Sequence, residues 1–140
     1  MNREILSYLK ANRIGVLAVI LADGTPHTAT IHYSEEESPL RLFFQTGTDT
    51  KKCAPLLDGS TVKASFTVGF SEDEWKTLQV HGILHMLTND EDRDVFRRVH
   101  HTKFPETAKH DGPDTAFLEF TPTWHRFTDF NTTPKTVIEG

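Results

Sequence analysis

A single cysteine, Cys53, is the only thiol in the 140-residue chain. It cannot close an intramolecular disulfide, and it excludes a zinc site built from several thiolates. Such scarcity fits a reducing compartment. Long apolar runs are also missing. The longest, Val16 to Ala22, is far short of the ~20 residues that a membrane-crossing helix requires. The residues after Met1 lack the apolar stretch and small-residue cleavage site of a secretory leader, so a soluble cytoplasmic domain with no membrane partner is expected. Basic excess is absent too: the net charge is −5. That argues against nucleic-acid binding, whose affinity comes from clustered positive charge, but leaves room for a local basic pocket holding one phosphate. With no repeat and no low-complexity tract, the length suits one compact domain.

What is present is a series of short, regularly spaced patterns. Asn2 is a candidate N-cap for an amphipathic helix over residues 2–12, with Ile5, Leu6 and Leu9 as its apolar stripe. Gly15 to Leu21 reads as a β-branched strand closed by Asp23-Gly24, a strong hairpin turn signal. The returning strand, His27 to Tyr33, places His27, Ala29, Ile31 and Tyr33 on one face and Thr28, Thr30 and His32 on the other. Glu35-Glu36-Glu37-Ser38-Pro39 reads as a solvated loop, and Leu40 to Gln45 as a third strand. Thr50 to Leu57 is expected to form a helix of a turn or two, limited by Pro55.

Thr61 to Phe70 alternates as a fourth strand, and Trp75 to Leu87 is a long fifth one with a bend or bulge expected at Gly82. Asn89 caps a helix running to about His101, with Val95, Phe96 and Val99 on its apolar side. A loop with a brief helical piece covers 102–114. Thr115 to Thr121 and Thr123 to Phe130 read as two final strands joined near Pro122, followed by an irregular tail, 131–140. The expected fold is mostly β with short helices, an antiparallel barrel or sandwich occupying residues 1–130.

Most of the chemistry-bearing residues follow the third strand. Thr46, Thr48 and Thr50 can donate hydroxyl hydrogen bonds, Lys51 and Lys52 carry charge, and a helix starting at Thr50 would offer free N–H groups to an anion. By composition alone these residues are ordinary surface. Their order in the chain adds information. Asp23-Gly24-Thr25-Pro26, Leu42-Phe43-Phe44-Gln45-Thr46, Thr50-Lys51-Lys52 with Leu56, and Val80-His81-Gly82 together resemble the split-barrel family related to pyridoxamine 5′-phosphate oxidases. The match covers roughly residues 5–130.

That resemblance implies an FMN-binding split β-barrel, Greek-key-like, working as a homodimer with the cofactor at the subunit interface. It implies an oxidoreductase that passes hydride between FMN and an unknown small-molecule substrate. Thr50, Lys51 and above all Lys52 match the phosphate-holding positions. Thr28, Ala29 and Thr30 match the strand along the flavin ring, and Gln45 and Thr46 the strand end beside it. Lys76 and Thr77 match contributions from the long fifth strand, and Trp124 and Arg126 those from the partner subunit. The Arg-x-His ending that holds the substrate phosphate in true pyridoxamine phosphate oxidases has no counterpart, so the namesake reaction is not implied. No catalytic side chain is assigned, because flavin carries the redox chemistry itself.

Other features point elsewhere with less force. Eight histidines raise haem or metal binding. However, His81 and His85 on a strand would lie ~13 Å apart, too far for one metal. Cys53 beside the lysines could be a lowered-pKa thiol or a buried structural one. No Gly-x-Ser-x-Gly elbow surrounds Ser65 or Ser71, which removes a hydrolase triad. A haem- or flavin-binding stress or sensing protein without turnover, and a deazaflavin reductase, remain as alternatives to the FMN enzyme.

Overall fold

The computed structural model describes residues 2–69 and 71–140. Helix α1, Arg3–Ala11, starts where Asn2 Oδ1 accepts the Glu4 and Ile5 amides at 2.8 and 3.4 Å, and it buries Ile5, Tyr8 and Leu9. Strands β1 (Ile14–Ile20) and β2 (Pro26–His32) form the expected hairpin. Gly24 supplies the turn's positive φ of 86°, which a side chain would strain. Then follow β3 (Ser34–Glu37), β4 (Leu40–Gly47), β5 (Val62–Val68), β6 (Lys76–Met86), helix α2 (Asp90–Lys103), β7 (Thr115–Asp129) and β8 (Thr136–Glu139).

The strands form one antiparallel sheet in the order β2-β1-β5-β6-β7-β4-β3, with β8 on β7. Its two end members are one piece of chain, since only Tyr33 separates β2 from β3. The sheet therefore curls round to meet itself, and β2 and β4 part below Tyr33. This is a split barrel. Leu17, Val19, Phe44, Phe66, Val80, Leu118 and Phe120 fill its interior. Outside, α2 lays Phe96 flat on Phe117, with centroids 4.1 Å apart, over Phe43 and Leu87.

Several expectations need correction. The acidic run is strand β3, because its carboxylates find partners: Glu35 bonds Lys103 at 2.7 Å, and Glu36 faces Arg98 at 3.7 Å. Residues 115–129 are one strand. The ladder passes from His81–Trp124 to Gly82–Pro122, so Thr123 is the extra residue of a bulge that absorbs Pro122. The bend expected at Gly82 is thus present. The tail is ordered as β8, whose Ile138 packs against the core. Between Thr50 and Leu57 there are turns and only a three-residue 3-10 helix, Ala54–Leu56, because Pro55 interrupts the α-helical ladder.

Candidate functional site

The exit of β4 folds back under the β1–β2 turn. Lys51, Ala54 and Pro55 share a hollow with Leu21, Ala22 and Asp23, while Cys53 and Leu56 plug the barrel interior. The loop is tight. Thr50 Oγ1 donates to Gly47 O at 2.9 Å and lies 3.5 Å from Thr46 Oγ1, and the Thr48 amide donates to Asp114 O at 2.9 Å. Extending the β3–β4 register downward brings Thr46 level with Ile31 in β2. The Thr28–Thr30 stretch and the Thr46–Lys52 loop therefore flank the split between the two strands.

This cluster suits an anion, although the helix N-terminus expected there is missing. The amides of Asp49, Lys51 and Lys52 have no hydrogen-bond partner among the described residues. Lys52 is half-buried, and neither it nor Lys51 has a carboxylate within salt-bridge distance among the described residues. Burial pushes the Lys52 ammonium below its ordinary value, against the opposing pull of Cys53 and Asp49. An arriving anion would offset that desolvation. Cys53 is fully buried, and burial pushes its thiol up despite Lys52 beside it, so the reactive-thiol reading is set aside.

Thr28 and Thr30 are exposed on the outer face of β2, with Ala29 turned inward between them. Trp124 and Arg126 lie on the same outer face, on β7. Ladder rows run from Thr28 through Ala18, Ser65 and His81 to Trp124, and from Thr30 through Val16, Thr67 and Gln79 to Arg126. Four strand spacings separate the row ends, about 19 Å. One protomer thus holds the two groups apart. Trp124 packs at a tilt against His81, ring centroids 4.5 Å apart, and Arg126 pairs with Glu139 of β8 at 3.4 Å. Beside this pair, Ala18, Ser65 and Gly82 floor an outer hollow of about 500 Å³ walled by Ile20, Pro26 and Ile83.

The other expected residues fall elsewhere. Lys76 lies at the far end of β6, where its carbonyl accepts the Tyr8 hydroxyl at 3.1 Å and its neighbours are Glu74 and Asp129. Thr77 donates to Val68 O at 3.3 Å. Gln45 points away from Thr46, toward α2, where both ends of its amide are engaged: Nε2 donates to Thr107 O and Oε1 meets His101 Nε2, both at 2.8 Å. Period-two alternation already set His81 outward beside Gln79, but nothing local placed His101 against β4.

Antiparallel strands curled into a half-barrel, with β2 and β4 parted at one side, define the split-barrel class. The chain belongs to the pyridoxamine 5′-phosphate oxidase family, whose sequence pattern matches residues 1–129. No curated protein sequence matches it. Among solved structures it is similar to a candidate general stress protein 26 from Jannaschia sp. CCS1, with 24% identity, 90% of this chain and 76% of the other covered, and a TM-score of 0.68. It is similar also to a pyridoxamine 5′-phosphate oxidase-related, FMN-binding protein from Nostoc punctiforme PCC 73102, with 15% identity, 96% and 87% coverage, and a TM-score of 0.70. A third is a haem storage protein from Vibrio cholerae, with 16% identity, 86% and 89% coverage, and a TM-score of 0.67.

Proposed function

We propose that the protein binds FMN at the split between β2 and β4 and acts as an oxidoreductase on a small-molecule substrate, as a homodimer. The observation that carries this is the half-buried Lys52, without a salt bridge among the described residues, in a loop that also holds the Thr46 and Thr50 hydroxyls and three amides without a hydrogen-bond partner among the described residues. Lys52, Lys51 and Thr50 would hold the phosphate, and Thr28 and Thr30 would line the ring. Bound FMN supplies hydride transfer. The chain's own part is to orient the ring, exclude water and present hydrogen-bond donors.

The outer sheet face favours a second copy. Val16, Ala18 and Ile20 point outward from β1 while Leu17 and Val19 point inward, so this strand is apolar on both faces, the mark of a strand covered twice. Few charges interrupt that face; Lys63 and Arg126 are two. A covering copy would bring its own Trp124 and Arg126 toward a split they cannot reach within one chain.

Haem storage is the second reading, favoured by the Vibrio cholerae likeness and by His81, exposed beside the outer hollow. An absorbance spectrum of the purified protein separates the two. Flavin bands are expected. A Soret band would favour haem, and a featureless spectrum unmoved by added FMN would sink the cofactor assignment.

A further inference from the structure

The connection between α2 and β7 is tied to the β4 exit at two points, Thr107 and Asp114, and α2 itself at a third, His101, beside the loop that carries Lys52. Gln45, the last α2-facing residue of β4 before that loop, donates through Nε2 to Thr107 O at 2.8 Å. A carbonyl can only accept, so the amide orientation is determined and Oε1 must face His101. His101 Nε2, 2.8 Å away, must then carry the proton. Two residues into the loop, the Thr48 amide donates to Asp114 O at 2.9 Å. The connection is itself anchored to α2, where Arg97 Nε bonds Asp111 Oδ2 at 2.7 Å while its guanidinium lies over the Phe117 ring.

We propose that Gln45 and His101 are positioning residues that lock the Pro105–Asp114 connection against the β4 exit, and so hold the Thr46–Lys52 loop in the shape that selects a phosphorylated flavin over its unphosphorylated form. The selectivity rests on the FMN reading above; the brace itself does not. Gln45 touches the ligand's surroundings only through the loop, because both ends of its amide are occupied. Protonation of His101 would occur at Nδ1 and leave the Nε2 donor in place, so the brace survives acidification. Removing the donor or the amide loosens the loop without deleting any group that meets the phosphate.

Two measurements decide it. Amide hydrogen exchange over residues 46–53, with no ligand present, should accelerate in Gln45→Leu and His101→Ala, most clearly at Thr48. It should stay near wild type in His101→Gln, whose side-chain amide can still donate. Unchanged exchange in both disruptive variants overturns the brace. In flavin titrations, His101→Ala should lose roughly five- to tenfold in FMN affinity, the scale of one hydrogen bond, with riboflavin affinity unaltered and His101→Gln close to wild type. Equal weakening of both flavins, or of neither, overturns the selectivity. If wild-type protein binds neither flavin, the FMN reading and the selectivity fail together, while the exchange experiment still decides the brace.

Discussion

At the scale of single residues, the candidate site depends on one lysine and its surroundings. Lys52 has already lost part of its hydration, which Asp49 offsets only in part and without a salt bridge. Lys52→Ala should therefore weaken FMN binding by about 1.5–3 kcal/mol, the range of a charge-assisted hydrogen bond, in a fluorescence titration. An unchanged dissociation constant would place the phosphate elsewhere. Lys51, more exposed, should matter less. The Thr50–Lys52 segment is legible in residue order, whereas the turns that shape it are not. A helix start looked natural after Gly47, but Pro55 and the buried Cys53 and Leu56 pull the segment into turns. Side chains and loose amides then replace a helix dipole.

At the scale of elements, the β6–β7 bulge and the docking of α2 are open to test. A Cβ on Gly82 would sit 2.5 Å from Thr121 O and 2.7 Å from the Phe120 ring. Gly82→Ala should cost ~1–3 kcal/mol of stability by urea unfolding, because backbone cannot yield as a flexible side chain can. Helix α2 docks through His100, buried and 2.8 Å from Ser34 Oγ, with its pKa pushed down to about 3 by burial, helped by His101, His32 and Lys103. Below about pH 6.5 the unfolded chain takes up this proton and the folded chain does not. Stability then falls as pH drops toward 3, by up to ~1.4 kcal/mol per unit from this group. Glu35 works in the opposite sense, its carboxyl raised by burial, so folding gains from it as pH falls. His100→Gln should flatten the acid limb relative to wild type while Glu35 acts equally in both. An identical slope would remove His100 from the account.

At the scale of the whole molecule, the apolar outer face of β1 is the ground for the proposed second copy. Sedimentation should give twice the 15.9 kDa of one chain. Ala18→Arg, on that face and outside the barrel core, should give a folded monomer with weakened FMN binding. A wild-type monomer that retains flavin would end the dimer proposal. No helix among the described residues is long and apolar enough to cross a membrane.

The hairpin at Asp23-Gly24, both N-caps, the inward face of each early strand and the bend at Gly82 are local matters. Turn chemistry, capping and period-two alternation act over a few residues, so the amino-acid order determined them alone. Three features depended on partners distant in the chain. Glu35 to Glu37 became a strand because Lys103 and Arg98 came within reach. Residues 136–139 became a strand because β7 presented a free edge. Gln45 faces α2 because His101 and Thr107 engage both ends of its amide. An acidic run, a polar tail and a glutamine carry no local sign of what will satisfy them. Only the closed barrel supplies the charge, the edge and the hydrogen-bond partners that decide where they go.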